Sequence, residues 1–369
     1  MKILTKLNIL FVCIFLLSAC SPELDKPVIE DLGMVGVLGF DYVDDEKMKV
    51  TVTFPQPQKD AEEKTQRYSA EVTLPHEAIL EVSSMSEKVL STSQLRVVLF
   101  SEEYAREVGL WKALHSLYRD PQIGTNVFVA VVKGTAEEFL MKEYKDKPEI
   151  NVYLNEMLTP KAEETFNPYS TIHHFIFRAR DDVSDPTTPY LEIVDDTIKL
   201  TSVALFKDEK MVDTITPEEG KLVEAFKKRK RVPNIKVELT EEDGSMSTLL
   251  LMFVESRFNV KANTDMANPK MFLHLYVRGM IEDYNGEHDL GVKEERKKVE
   301  KQVEEALEAN VMKLVTKFQN HKTDSAGFGE SFRIANAKEW DKERWRDVFA
   351  QTEMTTHVEV TIVSTGSTK

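Results

Sequence analysis

The sequence predicts a mixed α/β protein of three domains, with helices packed on mixed sheets and no transmembrane segment in the mature chain. Three observations predict it. Between Tyr68 and Lys142, apolar runs of strand length alternate with amphipathic runs of helix length, the rhythm of βαβ units and a partly parallel sheet. Residues 33–54 and 198–215 read as hairpins, each with a short polar turn between two strand-like runs. Residues 292–319 hold neither proline nor glycine, and Val299, Val303, Leu307, Val311, Leu314 and Phe318 recur at steps of three and four. That stretch is one amphipathic helix, about 40 Å long at 1.5 Å per residue. Lacking sustained heptads, it is expected to lie across a sheet rather than in a coiled coil.

The chain begins with a positive head, Lys2 and Lys6, then an apolar run over 7–17 broken by Asn8, then Leu17-Ser18-Ala19-Cys20. This is the layout of a secretory signal. The run is too short for a hydrocarbon core of about 30 Å, which takes about 20 residues. A cysteine directly after Leu-Ser-Ala resembles the bacterial lipobox. That resemblance implies cleavage before Cys20, a diacylglyceryl thioether on its sulfur and an acylated amine. Two acyl chains anchor a protein stably where one does not. Residues 1–19 are then the signal peptide and 20–27, with Pro22 and Pro27, a lipidated tether on the outer side of the bacterial plasma membrane. No later stretch reaches the roughly 18 consecutive apolar residues of a span.

Cleavage leaves about 350 residues, room for two or three domains of ordinary size. The chain is 41% hydrophobic and 30% charged, a globular balance with a sizeable core. Losing Lys2 and Lys6 takes the formal net charge from -15 to -17. So acidic a body argues against a nucleic-acid partner and is repelled by anionic head groups, which leaves membrane attachment to the lipid. Of the two cysteines, Cys13 goes with the signal and Cys20 is modified, so there is no disulfide framework.

An N-terminal α/β domain is expected over 28–190, a small hairpin-and-helix domain over 191–234, and a C-terminal α+β domain carrying the long helix over 235–369. Gly33, Gly36 and Gly39 lie in the first strand region; their spacing is not that of a phosphate loop, and close backbone packing explains them better. A helix is predicted over 75–90, with Ala78, Ile79, Val82, Met85 and Val89 on one face. A buried strand follows at 95–100, with Ser101 as the N-cap of the next helix and Gly109 interrupting it. A Val-rich strand at 127–132, a helix at 135–142 and short helices at 150–158 and 170–177 follow, with a linker at 181–189. Thr216-Pro217-Glu218-Glu219 starts a helix with N-cap, N1 proline and acidic first turn in place. It ends in Lys227-Lys228-Arg229-Lys230-Arg231, cations suited to the negative end of a helix dipole, or else to lipid head groups or an acidic partner. Strands at 235–239, 248–258 and 271–281 precede the long helix. A helix over 337–350 with Trp340 and Trp345, and a strand over 357–363, close the chain.

Catalytic and metal motifs are scarce. The histidines at 76, 115, 173, 174, 274, 288, 321 and 357 form no His-Glu-x-x-His, and there is no Cys-x-x-Cys, Gly-x-Ser-x-Gly or Walker loop. Paired acids such as Asp181-Asp182 and Asp195-Asp196 are ordinary in a chain with 63 carboxylates. The sequence therefore points to a non-enzyme with no cofactor and no metal. Two other classes stand as alternatives: an extracytoplasmic solute-binding lipoprotein, which should show two similar lobes around a cleft, and a lipoprotein hydrolase, which should show a convergent base, nucleophile and oxyanion site.

Several stretches in order resemble the C subunit of bacterial spore germinant receptors, a lipoprotein family of spore-formers. Gly39-Phe40-Asp41 stands where Gly-Ile-Asp is usual. Arg119-Asp120-Pro121 and Lys133-Gly134-Thr135-Ala136 resemble an Arg-Asp and a Lys-Gly-x-Ala pattern. The stretch from Ala204 through Phe206-Lys207-Asp208-Glu209-Lys210 to Val212 resembles an Ala-Val-Phe-Lys-x-x-Lys-Leu hairpin. Gln319, Asp324, Gly327-Phe328-Gly329-Glu330, Trp340 and Trp345 resemble the family's C-terminal pattern. Near the anchor, residues 21–25 depart from its usual Trp-Asp. The resemblance implies a three-domain lipoprotein in the spore inner membrane, without known catalysis, required for germination. It would act beside integral membrane A-type and B-type receptor subunits that respond to small nutrients. The expected partner-binding residues are Lys227, Lys228, Arg229, Lys230, Arg231, Asp324, Phe328, Trp340 and Trp345. At five residues apart on one helix the two tryptophans diverge by about 140°, so at most one should be core.

Overall fold

A computed structural model describes residues 28–56, 64–160, 166, 168–241 and 243–364. Cys20, its signal peptide and its tether lie outside these residues. The fold is mixed α/β, with two large sheets in series. Among the described residues, no helix is long and apolar enough to cross a membrane.

The first sheet grows around four parallel strands: β2 (Val37–Tyr42), β6 (Val97–Ser101), β7 (Phe128–Val132) and β8 (Thr187–Val194). Antiparallel β3 (Met48–Pro55) and β4 (Thr65–Val72) extend it at one edge, and β9 (Thr197–Lys207) and β10 (Lys210–Ile215) at the other. A short β1 (Leu32–Met34) pairs in parallel with β5 (Val89–Ser91) outside it. Central parallel strands are covered on both faces, and that is why they read as unbroken Val/Leu/Phe runs. Val98, Phe100, Val129 and Val131 enter one core, with α1 (Glu77–Met85), α2 (Glu102–Glu107), α3 (Trp111–Tyr118) and α6 (Ile172–Ala179). Val97, Leu99, Ala130 and Val132 enter the other, under α4 (Ala136–Met141) and α5 (Ile150–Leu158).

The glycine triplet allows close packing. A Cβ on Gly39 would sit 2.8 Å from the Ala136 Cβ, and one on Gly36 would sit 2.6 Å from the Asn151 side chain. Asp41, two residues beyond Gly39, accepts the Ala136 and Glu137 N–H groups at 2.6 and 2.9 Å. With Thr135 capping Glu138, the first turn of α4 is satisfied. The Gly39-Phe40-Asp41 and Lys133–Ala136 stretches, almost a hundred residues apart in sequence, are thus one contact.

The second sheet contains β11 (Arg231–Val232), β12 (Ile235–Thr240), β13 (Met246–Ala262), β14 (Lys270–Tyr284) and β15 (Glu353–Ser364). Its pairs are antiparallel except β14 with β15, which run parallel. The long helix, α8 (Lys293–His321), follows α7 (Pro217–Phe226). At 29 residues α8 is about 43 Å long. Its Val299, Val303, Leu307, Val311, Leu314 and Phe318 lie in one core with Leu273, Leu275, Val358 and Val360 of the sheet. Two further helices, α9 (Glu330–Ala335) and α10 (Lys342–Gln351), close that core with Phe332, Trp345 and Phe349.

Several boundaries differ from the sequence reading. The helix predicted to residue 90 stops at Met85: Ser86 leaves the helical region, and Val89–Ser91 pairs with β1 instead, leaving Met85 and Val89 exposed. The predicted helix over 337–350 begins at Lys342, because Asp341 is its N-cap and accepts the Arg344 N–H. Trp340 therefore precedes the helix. Segment 191–234, expected as a small middle domain, is shared out. Its hairpin continues the first sheet, since β9 pairs with β8 from Thr187 onward. Its helix α7, opened by a complete Thr216/Glu219 capping box, packs on both β9 and the second core.

A buried carboxylate junction as candidate functional site

The two sheets meet where β8 begins, where β9 turns into β10, and where α8 ends. Each contributes a carboxylate: Asp185, Asp208 and Asp324. The Asp185 side chain is completely buried. Its Oδ1 accepts from Arg346 Nη2 at 2.8 Å and from the Asp208 N–H at 3.0 Å. Its Oδ2 accepts the Asp324 N–H at 2.9 Å, and its own N–H donates to the Asp324 carbonyl at 3.1 Å. Asp208 occupies the hairpin turn at φ +54° and accepts from Arg346 Nη1 at 2.7 Å and Lys342 Nζ at 3.0 Å. Thr323 donates its hydroxyl to the Phe206 carbonyl at 2.6 Å.

Asp324 turns the other way. Its carboxylate accepts the Phe328 and Gly329 N–H groups, each at 2.8 Å, and Trp345 Nε1–H at 3.3 Å. Burial pushes its pKa up to about 6, with the Asp185 charge adding to the rise and the three N–H donors opposing it. Burial also raises Asp208, but the Arg346 guanidinium and Lys342 ammonium outweigh it and hold that carboxyl below its usual value. Against its own burial, Arg346 is held more firmly protonated by Asp208 and Asp185. Gly329 admits the indole: a Cβ there would stand 2.5 Å from Trp345 Cε2.

The structure separates the residues predicted to bind a partner. Asp324, Phe328 and Trp345 are interior. Phe328 packs among Phe226, Phe258 and Phe349 at ring distances of 5.4, 5.9 and 6.2 Å. They reach a partner only if the junction opens. Trp340 is half-buried, stacked on Trp345 at 5.8 Å, and donates Nε1–H to the Asp182 carbonyl at 3.0 Å. One tryptophan is core and the other is not, although Trp340 owes its direction to a turn rather than to helical phase.

The basic run forms a helix stop. Lys227 lies 3.5 Å from Glu224 and donates to the Thr187 hydroxyl at 3.3 Å. Burial, with Arg178 and Arg229 nearby, pushes its ammonium below the ordinary value against the pull of Glu224. Lys228 takes the left-handed conformation, φ +61°. Arg229 pairs with Glu224 at 2.6 Å, the Lys230 carbonyl accepts the Ser256 N–H, and Arg231 opens β11. Lys227, Lys228 and Phe328 line one groove of about 790 Å³ along the junction, together with Asp181 and Arg333. The sequence reading missed Asp185, Asp208 and Arg346; the only signal was an Asp-Pro inside a presumed linker and an Asp in a hairpin turn.

Fold and junction define the class: a two-sheet α/β protein whose halves are joined by buried carboxylates. Residues 25–193 match the spore germination protein N-terminal domain, and residues 201–366 match the spore germination B3/GerAC-like C-terminal domain. The chain belongs to this germinant receptor C-subunit family. It is 23% identical over 360 residues to the spore germination protein GerQC of Bacillus cereus, covering 98% of each chain. To the putative spore germination protein YfkR of Bacillus subtilis (strain 168) it is 22% identical over 308 residues, 81% of this chain and 78% of that one. The crystal structure of the GerBC protein shares the fold at TM-score 0.57 and 16% identity, covering 88% of this chain and 96% of that one.

Proposed function

We propose that this chain is the lipid-anchored C subunit of a nutrient germinant receptor, held by Cys20 on the outer face of the spore inner membrane. It works without catalysis, beside integral A-type and B-type subunits. The observation that carries this reading is the run of both family domains, in order and over nearly the whole chain, behind Leu17-Ser18-Ala19-Cys20. The junction supports a non-catalytic role, because its carboxylates are engaged by the protein's own donors. In this proposal Trp340 and the exposed Lys228 and Lys230 belong to the partner surface, since they are candidates that solvent reaches.

Affinity capture from spore membranes tests it. Polytopic receptor subunits should come down with the wild type. Cys20→Ala should release the body from the membrane, and mass spectrometry should find a lipidated Cys20 at the mature N-terminus. Capture of no polytopic partner, or an unmodified Cys20, would overturn the reading.

A further inference from the structure

The face of the second sheet opposite the apolar stripe of α8 carries a convergent set of ligand atoms. His274 on β14 and His357 on β15 are direct partners in the parallel register, and Glu359 lies two residues beyond His357 on the same face. His274 Nε2 is 3.2 Å from Glu359 Oε1, and His357 Nε2 is 3.6 Å from the same oxygen. One ligand atom from each of the three residues lies within 4.8 Å of the other two. Two ligands on a tetrahedral zinc, about 2.0–2.1 Å from the metal, stand about 3.3 Å apart. The spacing matches that set with only small side-chain movement.

A second carboxylate stands behind His357 of β15. Glu308 Oε1, on α8, is 3.1 Å from His357 Nδ1. A carboxylate has no proton to give, so Nδ1 must be the donor in this contact. In the neutral ring Nε2 then carries a lone pair, and it faces the Glu359 oxygen. Two lone pairs that face each other can be bridged by a cation, a metal ion or a proton. Carboxylate–histidine–metal relays have this arrangement, in which the rear carboxylate fixes tautomer and ring orientation. Imidazole and carboxylate donors together suit borderline ions such as zinc. His288 is likewise flanked by two carboxylates, Glu295 at Nδ1 and Glu241 at Nε2, but among the described residues no second imidazole converges with it.

We propose that His274, His357 and Glu359 bind a divalent ion of the zinc class, with Glu308 as a positioning residue and water completing the coordination. The test is calorimetric titration of zinc sulfate into the detergent-solubilised full chain, free of any polyhistidine tag, at pH 7.5. Cobalt(II) absorption serves as the second readout. One zinc per chain is expected, with a cobalt d–d spectrum of low-coordinate nitrogen/oxygen type. His274→Ala and Glu359→Gln should each abolish binding or weaken it by more than tenfold. Glu308→Gln, which keeps an acceptor for the Val358 N–H, should weaken it about 10- to 100-fold. His288→Ala should leave it unchanged. Circular dichroism checks each fold, and Glu359→Gln, at an exposed position, decides the matter if a histidine variant unfolds. No saturable binding in the wild type, which would leave a proton as the bridging cation, overturns the site; so does equal binding by all variants.

Discussion

Glu304 on α8 accepts the backbone N–H of Val360 on β15 at 3.0 Å. It is the middle rung of three: Glu308 accepts from Val358 and Glu300 from Ile362, each at 2.9 Å. Four helical residues advance about 6.0 Å, and two strand residues about 6.6 Å, so the two elements stay in step over this length. Among the described residues β15 is an edge strand, paired only with β14. Its outward N–H groups would otherwise offer a template for another chain.

That ladder predicts a paired effect. Glu300→Ala with Glu304→Ala should cost about 1–2 kcal/mol per lost hydrogen bond to a charged acceptor and raise light scattering on heating. The corresponding glutamines retain an acceptor oxygen and should recover most of the stability. Thermal melts with parallel scattering would measure both. Equal loss in the alanine and glutamine pairs would count against the ladder.

Asp324 predicts an unusual pH slope. Its folded pKa of about 6 exceeds the ordinary 3.8, so between those values the native state binds more protons than the unfolded one. Stability from this group is therefore fully present only below about pH 4 and is lost as pH rises through 6, by about 3 kcal/mol in all. Asp208 works in the opposite sense: its depressed pKa contributes stability above the ordinary value that is lost on acidification. Asp324→Asn should remove the first slope and leave the second. It should also cost about 1–3 kcal/mol near pH 5, because its amide NH₂ would face an N–H donor that the carboxylate satisfies. Denaturant unfolding at pH 3, 4.5, 5.5 and 7 separates the two effects, the Asp208 slope falling below pH 4 and the Asp324 slope above it.

Arg346 is the cation shared by Asp185 and Asp208, and its side chain is 3% exposed. Arg346→Met would leave two carboxylates with Lys342 alone. A loss of about 3–5 kcal/mol is expected for breaking a buried pair from one side. Because the bonds cross between the sheets, the two halves should also unfold less cooperatively, as two calorimetric transitions in place of one.

Much of the fold is local and could be read. The βα rhythm, the Ser101 and Thr216 caps and the apolar stripe of α8 are each set by residues within a few turns of one another. The junction was not legible, because Asp185, Asp208, Asp324 and Arg346 span 161 positions and no short motif connects them. Asp324 was singled out by family resemblance, but its burial and its bond to Trp345 depend on how α10 returns to the end of α8. The middle hairpin looked independent because a hairpin's pattern is the same whether it stands alone or extends a sheet. His274 and His357 belong to strands joined only through the parallel register.

The two tryptophans should separate stability from assembly. Trp345 is wholly buried against Phe332 and Phe349 at ring distances of 5.0 and 5.5 Å, and its indole N–H is spent on Asp324. Trp345→Ala should cost about 3–5 kcal/mol, through a large cavity and an Asp324 oxygen stripped of a donor. Trp340 is half-buried, with one indole face on Trp345 and the rest toward the rim of the junction. Its hydrogen bond to the Asp182 carbonyl is peripheral, so Trp340→Ala should cost only about 1 kcal/mol. An aromatic side chain fixed at a rim, with part of its surface open, has the character of an interface anchor. Trp340→Ala should therefore reduce recovery of receptor partners from spore membranes and slow germination while the melting temperature moves little. Undiminished recovery at an unchanged melting temperature would take the Trp340 rim out of the partner surface.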